Sequence, residues 1–218
     1  MKNIEKNSKQ LNEKLKQEFI DLLRQIHRPN ANIDGLISKL EASDFFRAPA
    51  STRYHNSHIG GLCEHSLNVY HNLKQLVDIK GLTDIDPDSI IICALLHDMS
   101  KMNQYELYIR NEKVYREDGS KHDALGNFDW ESSYGFKTRD AKDRFIYGNH
   151  EETSEFMVKS YIPLTVEESV AILTHHAGMG YDSVPGEALS DRFNNYKLST
   201  LLHVADFIAA YIDENIYE

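Results

Sequence analysis

Apolar and polar residues follow a helical period over most of the chain. Between residues 4 and 26, Ile4, Leu11, Leu15, Phe19, Leu22 and Ile26 recur at spacings of three, four and seven. That is the apolar stripe of an amphipathic helix whose charged remainder is a solvated face. Pro29 ends this helix after Arg28, and a shorter helix over 33–42 packs Leu36, Ile37 and Leu40 before a turn-like segment from Phe46 to Thr52. A long helix follows over about Gly61–Ile79 and closes at Gly81. Asp86 and Pro87 have the chemistry of an N-cap and a first helical residue. They open a helix whose Ile90–Leu96 run is apolar on every face, hence buried, and far too short to cross a bilayer.

The period changes after Met102. Tyr105, Leu107 and Ile109 alternate with polar residues, and Val114 and Tyr115 follow an expected turn near Asn111, which predicts a β-hairpin. The stretch Gly119–Gly148 shows no periodicity and is expected to be an ordered loop or lid. Helical pattern returns over His150–Tyr161. Thr165 and Glu168 form a capping box for a helix running into Thr174-His175-His176, and a last helix spans Lys197–Asp213. The expected architecture is all-α, a helical bundle interrupted at about 103–149 by a small β-hairpin insertion. It is read as a single unit over residues 1–218, with accessory helices over about 1–44.

Composition narrows the partners. With 24 Lys and Arg against 34 Asp and Glu, the net charge of −10 speaks against a track along the phosphates of long duplex nucleic acid. It remains compatible with a small phosphorylated substrate whose charge a metal neutralises. Two cysteines, Cys63 and Cys93, provide no disulfide framework. The charged N-terminus has no signal-peptide core, so a cytoplasmic location and no membrane contact are expected.

Chemistry gathers at the helix ends. His97 and Asp98 close the buried apolar run, where an unpaired carboxylate is costly unless it meets a cation. A mixed imidazole and carboxylate set suits Mn, Fe or Zn better than Ca. Each such side chain also has an ordinary alternative as a hydrogen-bonded packing residue. The same holds for His55 and His58, as substrate contacts or helix caps, and for His203, one turn before Asp206. Arg53 could contact phosphate or simply be solvated, whereas His27, His71 and His122 are expected at the surface. Tyr105, Tyr108, Tyr115, Trp130, Tyr134 and Phe136 could stack on a base or form a small satellite core.

The segments GGLCEHSLNVY around His65, ALLHDMSK around His97 and Asp98, and HVADFIAA around Asp206 resemble HD-domain phosphohydrolases in order and spacing. The resemblance runs from about Phe45 to Tyr211. It implies that His65, His97, Asp98 and Asp206 hold one metal, with Asp98 bridging to a second. GNHEE at His150 and LTHHAG at His175 and His176 match the two extra histidine positions of the dinuclear branch, implying two divalent transition-metal ions per chain. His175 is preferred as the ligand and His176 as a substrate-phosphate contact, since neighbouring helical residues point about 100° apart. The HDxxK pattern implies that Lys101 contacts a phosphate oxygen. The lead APASTRYHNSHIGGLCEHS is also similar to the HD half of a bacterial single-strand exoribonuclease.

These features predict a metal-dependent phosphohydrolase that cleaves a phosphomonoester or phosphodiester of a nucleotide or short oligonucleotide, with Asp98, Lys101 and His176 at the chemistry. A di-iron oxygenase acting on a small polyol or phosphonate would use the same ligand set, and a non-catalytic nucleotide-binding module would show binding without turnover. The insertion, flanked by Lys101 and His150, is expected to cover the site and set substrate choice.

Overall fold

The computed structural model describes residues 2–145, 148–177 and 186–214. Among the described residues there are eight α-helices: α1 (Lys2–Leu23), α2 (Ile33–Ala42), α3 (Gly61–Lys80), α4 (Pro87–Leu96), α5 (His150–Lys159), α6 (Val166–Thr174), α7 (Gly186–Asn195) and α8 (Lys197–Ile208). A three-stranded sheet, β1 (Tyr105–Tyr115), β2 (Lys121–Asp123) and β3 (Gly126–Thr138), interrupts them between α4 and α5. The protein is therefore mainly helical with a small β insertion.

Helix α3 is the spine, packed against α4 and α8, while α6 packs on α8. The α4 run is buried at every position from Ser89 to Leu96, which explains its uniform apolarity. The first helix ends at Leu23, with Phe19, Leu22 and Ile26 buried and Leu11 half exposed; the side chain of Ile4 lies outside the described ones. Phe19, Phe45 and Phe46 meet with ring centroids 5.1–5.5 Å apart, pinning the 43–52 segment to α1. Burial of each such ring contributes on the order of 2 kcal/mol.

That segment is threaded onto the start of α3. Ala48 O accepts from Leu62 N (2.9 Å) and Arg47 O from Gly60 N (3.1 Å), satisfying amides that a helix start leaves free. Gly60 adopts φ +87°, and a Cβ on Gly61 would lie 2.0 Å from the Asn56 carbonyl oxygen. The paired glycines thus let the loop bearing His55 close against the turn bearing His65.

The insertion differs from its sequence expectation. No turn forms at Asn111; β1 continues unbroken to Tyr115 and pairs antiparallel with β3, Asn111 opposite Ser132. The stretch expected as a loop contains β2 and the 13-residue β3, in the order β1-β3-β2. From Ile109 to Lys113 the β1 side chains are exposed on both faces, so the alternation that marks a half-buried strand fades. Residues 146 and 147 of the insertion, and Gly178 of the LTHHAG motif, lie outside the described residues.

Phe128, buried, meets Tyr115 and Trp130 and forms a satellite core with Lys113 over its ring. The same sheet face carries Leu107, Tyr134 and Phe136. With Leu11, Phe46 and Ile59 they line a groove of about 1060 Å³ that none of the expected metal ligands borders. The sheet leaves and rejoins the helical frame at one point, where Arg139 N donates to Gln104 O at 2.9 Å.

Candidate metal centre

Five elements deliver side chains to one buried spot. His65 comes from the second turn of α3. His97 and His175 are the C-cap residues of α4 and α6, Asp98 directly follows α4, His150 opens α5, and Asp206 lies in α8. Asn149 holds His150 at the helix start through a complete capping box with Glu152.

The distances define one cluster. His65 Nε2 is 3.1 Å from Asp206 Oδ1 and 3.7 Å from Asp98 Oδ2. His97 Nε2 lies 3.4 Å from Asp98 Oδ2, and His175 Nε2 lies 3.5 Å from Asp98 Oδ1. His150 Nε2 is 4.0 Å from the same Oδ1, which places Asp98 between two sets of imidazoles. Donor atoms of three groups, His65/His97/Asp98, His97/His175/Asp206 and His150/His175/His176, lie mutually within 4.8 Å. All six residues expected to hold metal are brought together.

Both His175 and His176 face this spot. His175 keeps helical backbone angles (φ −61°, ψ −32°), and the two rings reach the cluster from different sides, with centroids 4.3 Å apart and planes tilted by 42°. His176 Nδ1 is 2.5 Å from His150 Nε2, and its Nε2 is 3.4 Å from Asp206 Oδ2. Lys101, from the turn after Asp98, places its ammonium 2.6 Å from Asp98 Oδ2 and is itself buried.

Electrostatics favour a cation. Burial alone would raise the Asp98 and Asp206 carboxyls. Lys101, His97 and His175 around Asp98, and His65, His176 and His97 around Asp206, outweigh it and hold both well below the usual range. Burial lowers His150 and His176 to about 3, keeping both imidazoles neutral. His65 is raised to about 10: burial opposes protonation, but Asp206 and Glu214 override it.

Nε2 of His65, His97 and His175 and Oδ1 of Asp98 and Asp206 are buried without a hydrogen-bond partner. An unsatisfied buried polar atom costs on the order of 1–3 kcal/mol. Five converging on one point fit a divalent cation. The other ring nitrogens are anchored: His97 Nδ1 donates to Ala94 O (2.9 Å) and His175 Nδ1 to Ile172 O (2.7 Å). Such bonds fix the ring and turn Nε2 inward.

Two carboxylates escaped the sequence reading. Glu151 is buried, with Oε2 3.1 Å from His150 Nδ1. Glu214 accepts from His65 Nδ1 at 2.9 Å. The adjacency in GNHEE is a usable signal for the first, whereas nothing in the pattern marks the second. The His55 ring lies tilted at 39° to that of His65, with centroids 4.9 Å apart and a buried, unpartnered Nε2. His203 donates to His175 O at 2.7 Å, behind the centre. His58 turns toward Asn56 and Glu64, and Arg53, His27, His71 and His122 are exposed.

A buried His/Asp cluster of this kind has the donor set that a divalent metal ion needs. The HD domain family model matches residues 62–210, more than half of the chain and all the expected ligands, so the chain belongs to the HD domain family. Members of this family are mostly metal-dependent phosphohydrolases. No curated protein and no solved structure gives a significant match.

Proposed function

We propose that this protein is a phosphohydrolase that cleaves a phosphomonoester or phosphodiester of a nucleotide or short oligonucleotide. The observation that carries this reading is the set of unpartnered inward-facing atoms around Asp98 with the Lys101 ammonium beside them. Divalent transition-metal ions bound there, two per chain in this reading, would supply Lewis acidity and a water ionised near neutral pH.

The chain's own residues do the rest. His65, His97, Asp98 and Asp206 form one ligand set, and Asp98, His150 and His175 form the other, with Asp98 common to both. Lys101 has three N–H donors, of which Asp98 engages one; the remainder can hold a phosphate oxygen. His150 and His176, neutral and 26% and 18% exposed, line the open side of the cluster; with His150 in the second ligand set, His176 is the one left to meet substrate. The net charge of −10 suits a short anionic substrate rather than a long duplex.

The test is elemental analysis of purified protein followed by a panel of nucleotides, short oligonucleotides and synthetic mono- and diesters. Oxygen uptake is followed on the same iron-loaded sample. Metal-dependent phosphate or nucleotide release is expected. Oxygen consumption without ester cleavage would overturn the reading in favour of an oxygenase.

A further inference from the structure

Beyond α8 the chain widens into a π-turn over Ala209–Asp213, closed by Glu214 N donating to Ala209 O at 3.1 Å. An extra residue in one helical turn rotates everything after it, and such turns recur at functional sites. Here the rotation carries Glu214 inward. Its side chain is 1% exposed, with Oε1 and Oε2 at 2.9 and 3.2 Å from His65 Nδ1.

Two asparagines lock it there. Asn68 Nδ2 donates to Glu214 Oε1 (3.0 Å) and Asn72 Nδ2 to Asp213 Oδ2 (2.7 Å). His65, Asn68 and Asn72 stand at i, i+3 and i+7 on α3, one stripe of that helix. The terminal turn therefore docks on the same helix face that presents the ligand.

We infer that Glu214 is a positioning residue for the metal centre. It accepts the Nδ1–H of His65, keeps Nε2 aimed between Asp98 and Asp206, and would strengthen His65 as a ligand once a metal displaces the Nε2 proton. His97 and His175 have only neutral backbone carbonyls in this role. A carboxylate partner orients and enriches a ligating imidazole, and its loss typically weakens metal binding about 10–100-fold. Glu214 lies beyond residues 62–210, outside the matched family span. The inference rests on His65 being a metal ligand.

The dissociation constant for Mn²⁺ is measured by chelator competition on wild type, His65→Ala, Glu214→Ala and Glu214→Gln. Glu214→Ala is expected to weaken binding about 10–100-fold. Glu214→Gln, whose amide oxygen still accepts Nδ1–H, is expected to fall between it and wild type. In the zinc-loaded protein the His65 Nδ1 proton should exchange slowly in wild type and Glu214→Gln and rapidly in Glu214→Ala. Should Glu214→Ala fail to fold, the near-isosteric Gln variant decides: unchanged Mn²⁺ affinity overturns the proposal. If His65→Ala loses metal while both Glu214 variants match wild type, the role of Glu214 falls and the metal site stands. If His65→Ala also binds normally, the site assignment falls with it.

Discussion

Replacing Glu168 by alanine should destabilise the fold more than any surface change. Its carboxylate, with no exposed side-chain surface, takes Arg28 Nη1 and Nη2 at 2.6 and 2.7 Å, and the arginine is 11% exposed. It also accepts from Ser89 Oγ (2.6 Å) and Thr165 N (2.7 Å), so one residue ties the end of the first helical segment, α4 and the start of α6 together. Removing one partner of a buried pair costs about 3–5 kcal/mol, because the other charge is stranded. Arg28 keeps only Pro163 O at 3.2 Å and the well-exposed Asp86 at 3.6 Å. We expect a loss of about 4 kcal/mol, which for a chain of this size lowers Tm by roughly 8–16 °C.

Urea denaturation followed by far-UV circular dichroism measures the loss, and the double variant Arg28→Met/Glu168→Leu supplies the control. An apolar pair of similar volume is often neutral, so the double variant should recover most of the loss. The pH dependence has a definite sign. Burial raises the Glu168 carboxyl, but Arg28, Ser89 and Thr165 prevail and hold it below its ordinary 4.5. Its contribution is therefore complete above that value and lost as pH falls through the depressed folded pKa. The wild-type advantage over Glu168→Gln should narrow on acidification from pH 4.5 downward. A loss below about 1 kcal/mol in Glu168→Ala, or a double variant no better than the single, would refute the reasoning.

Asp98→Ala should abolish both metal content and turnover. Lys101→Ala should leave metal, read by elemental analysis, largely in place while kcat falls; normal turnover in that variant would remove Lys101 from the chemistry. Chelator treatment should lower Tm, since it returns five buried polar atoms to an unpartnered state, and differential scanning fluorimetry with and without added Mn²⁺ reads the shift. Replacing residues 105–138 by a two-glycine link should keep metal content but change the ranking across the substrate panel; an unchanged ranking would make the sheet a structural satellite.

The helical frame is legible because its signals are local. A run apolar on every face must be buried, and the Thr165 capping box and the Gly81 closure lie where the chain needs them. The centre is legible through motif order, and all six expected ligands converge. What escaped depends on non-local geometry. Strand β3 holds Asp129, Ser132, Ser133 and Gly135, poor strand formers that pair because β1 lies alongside. His175 and His176 serve one cluster because Asp98, His150 and Asp206, from elements distant in sequence, close around both rings, and Glu214 arrives through a π-turn that no periodicity announces.

The ends of α4 and α6 carry a consequence for how metal and substrate bind. Each helix terminates at a histidine of the centre, so two negative dipole ends, each worth about half an elementary charge, point at the same spot as Asp98 and Asp206. Backbone ends and carboxylates favour a dication there, while the Lys101 ammonium beside Asp98 is the group that favours a phosphate oxygen. The two ligands should therefore assist each other: the affinity for a phosphate ester should rise with divalent-ion occupancy, visible as reciprocal tightening of Mn²⁺ by a non-hydrolysable ester.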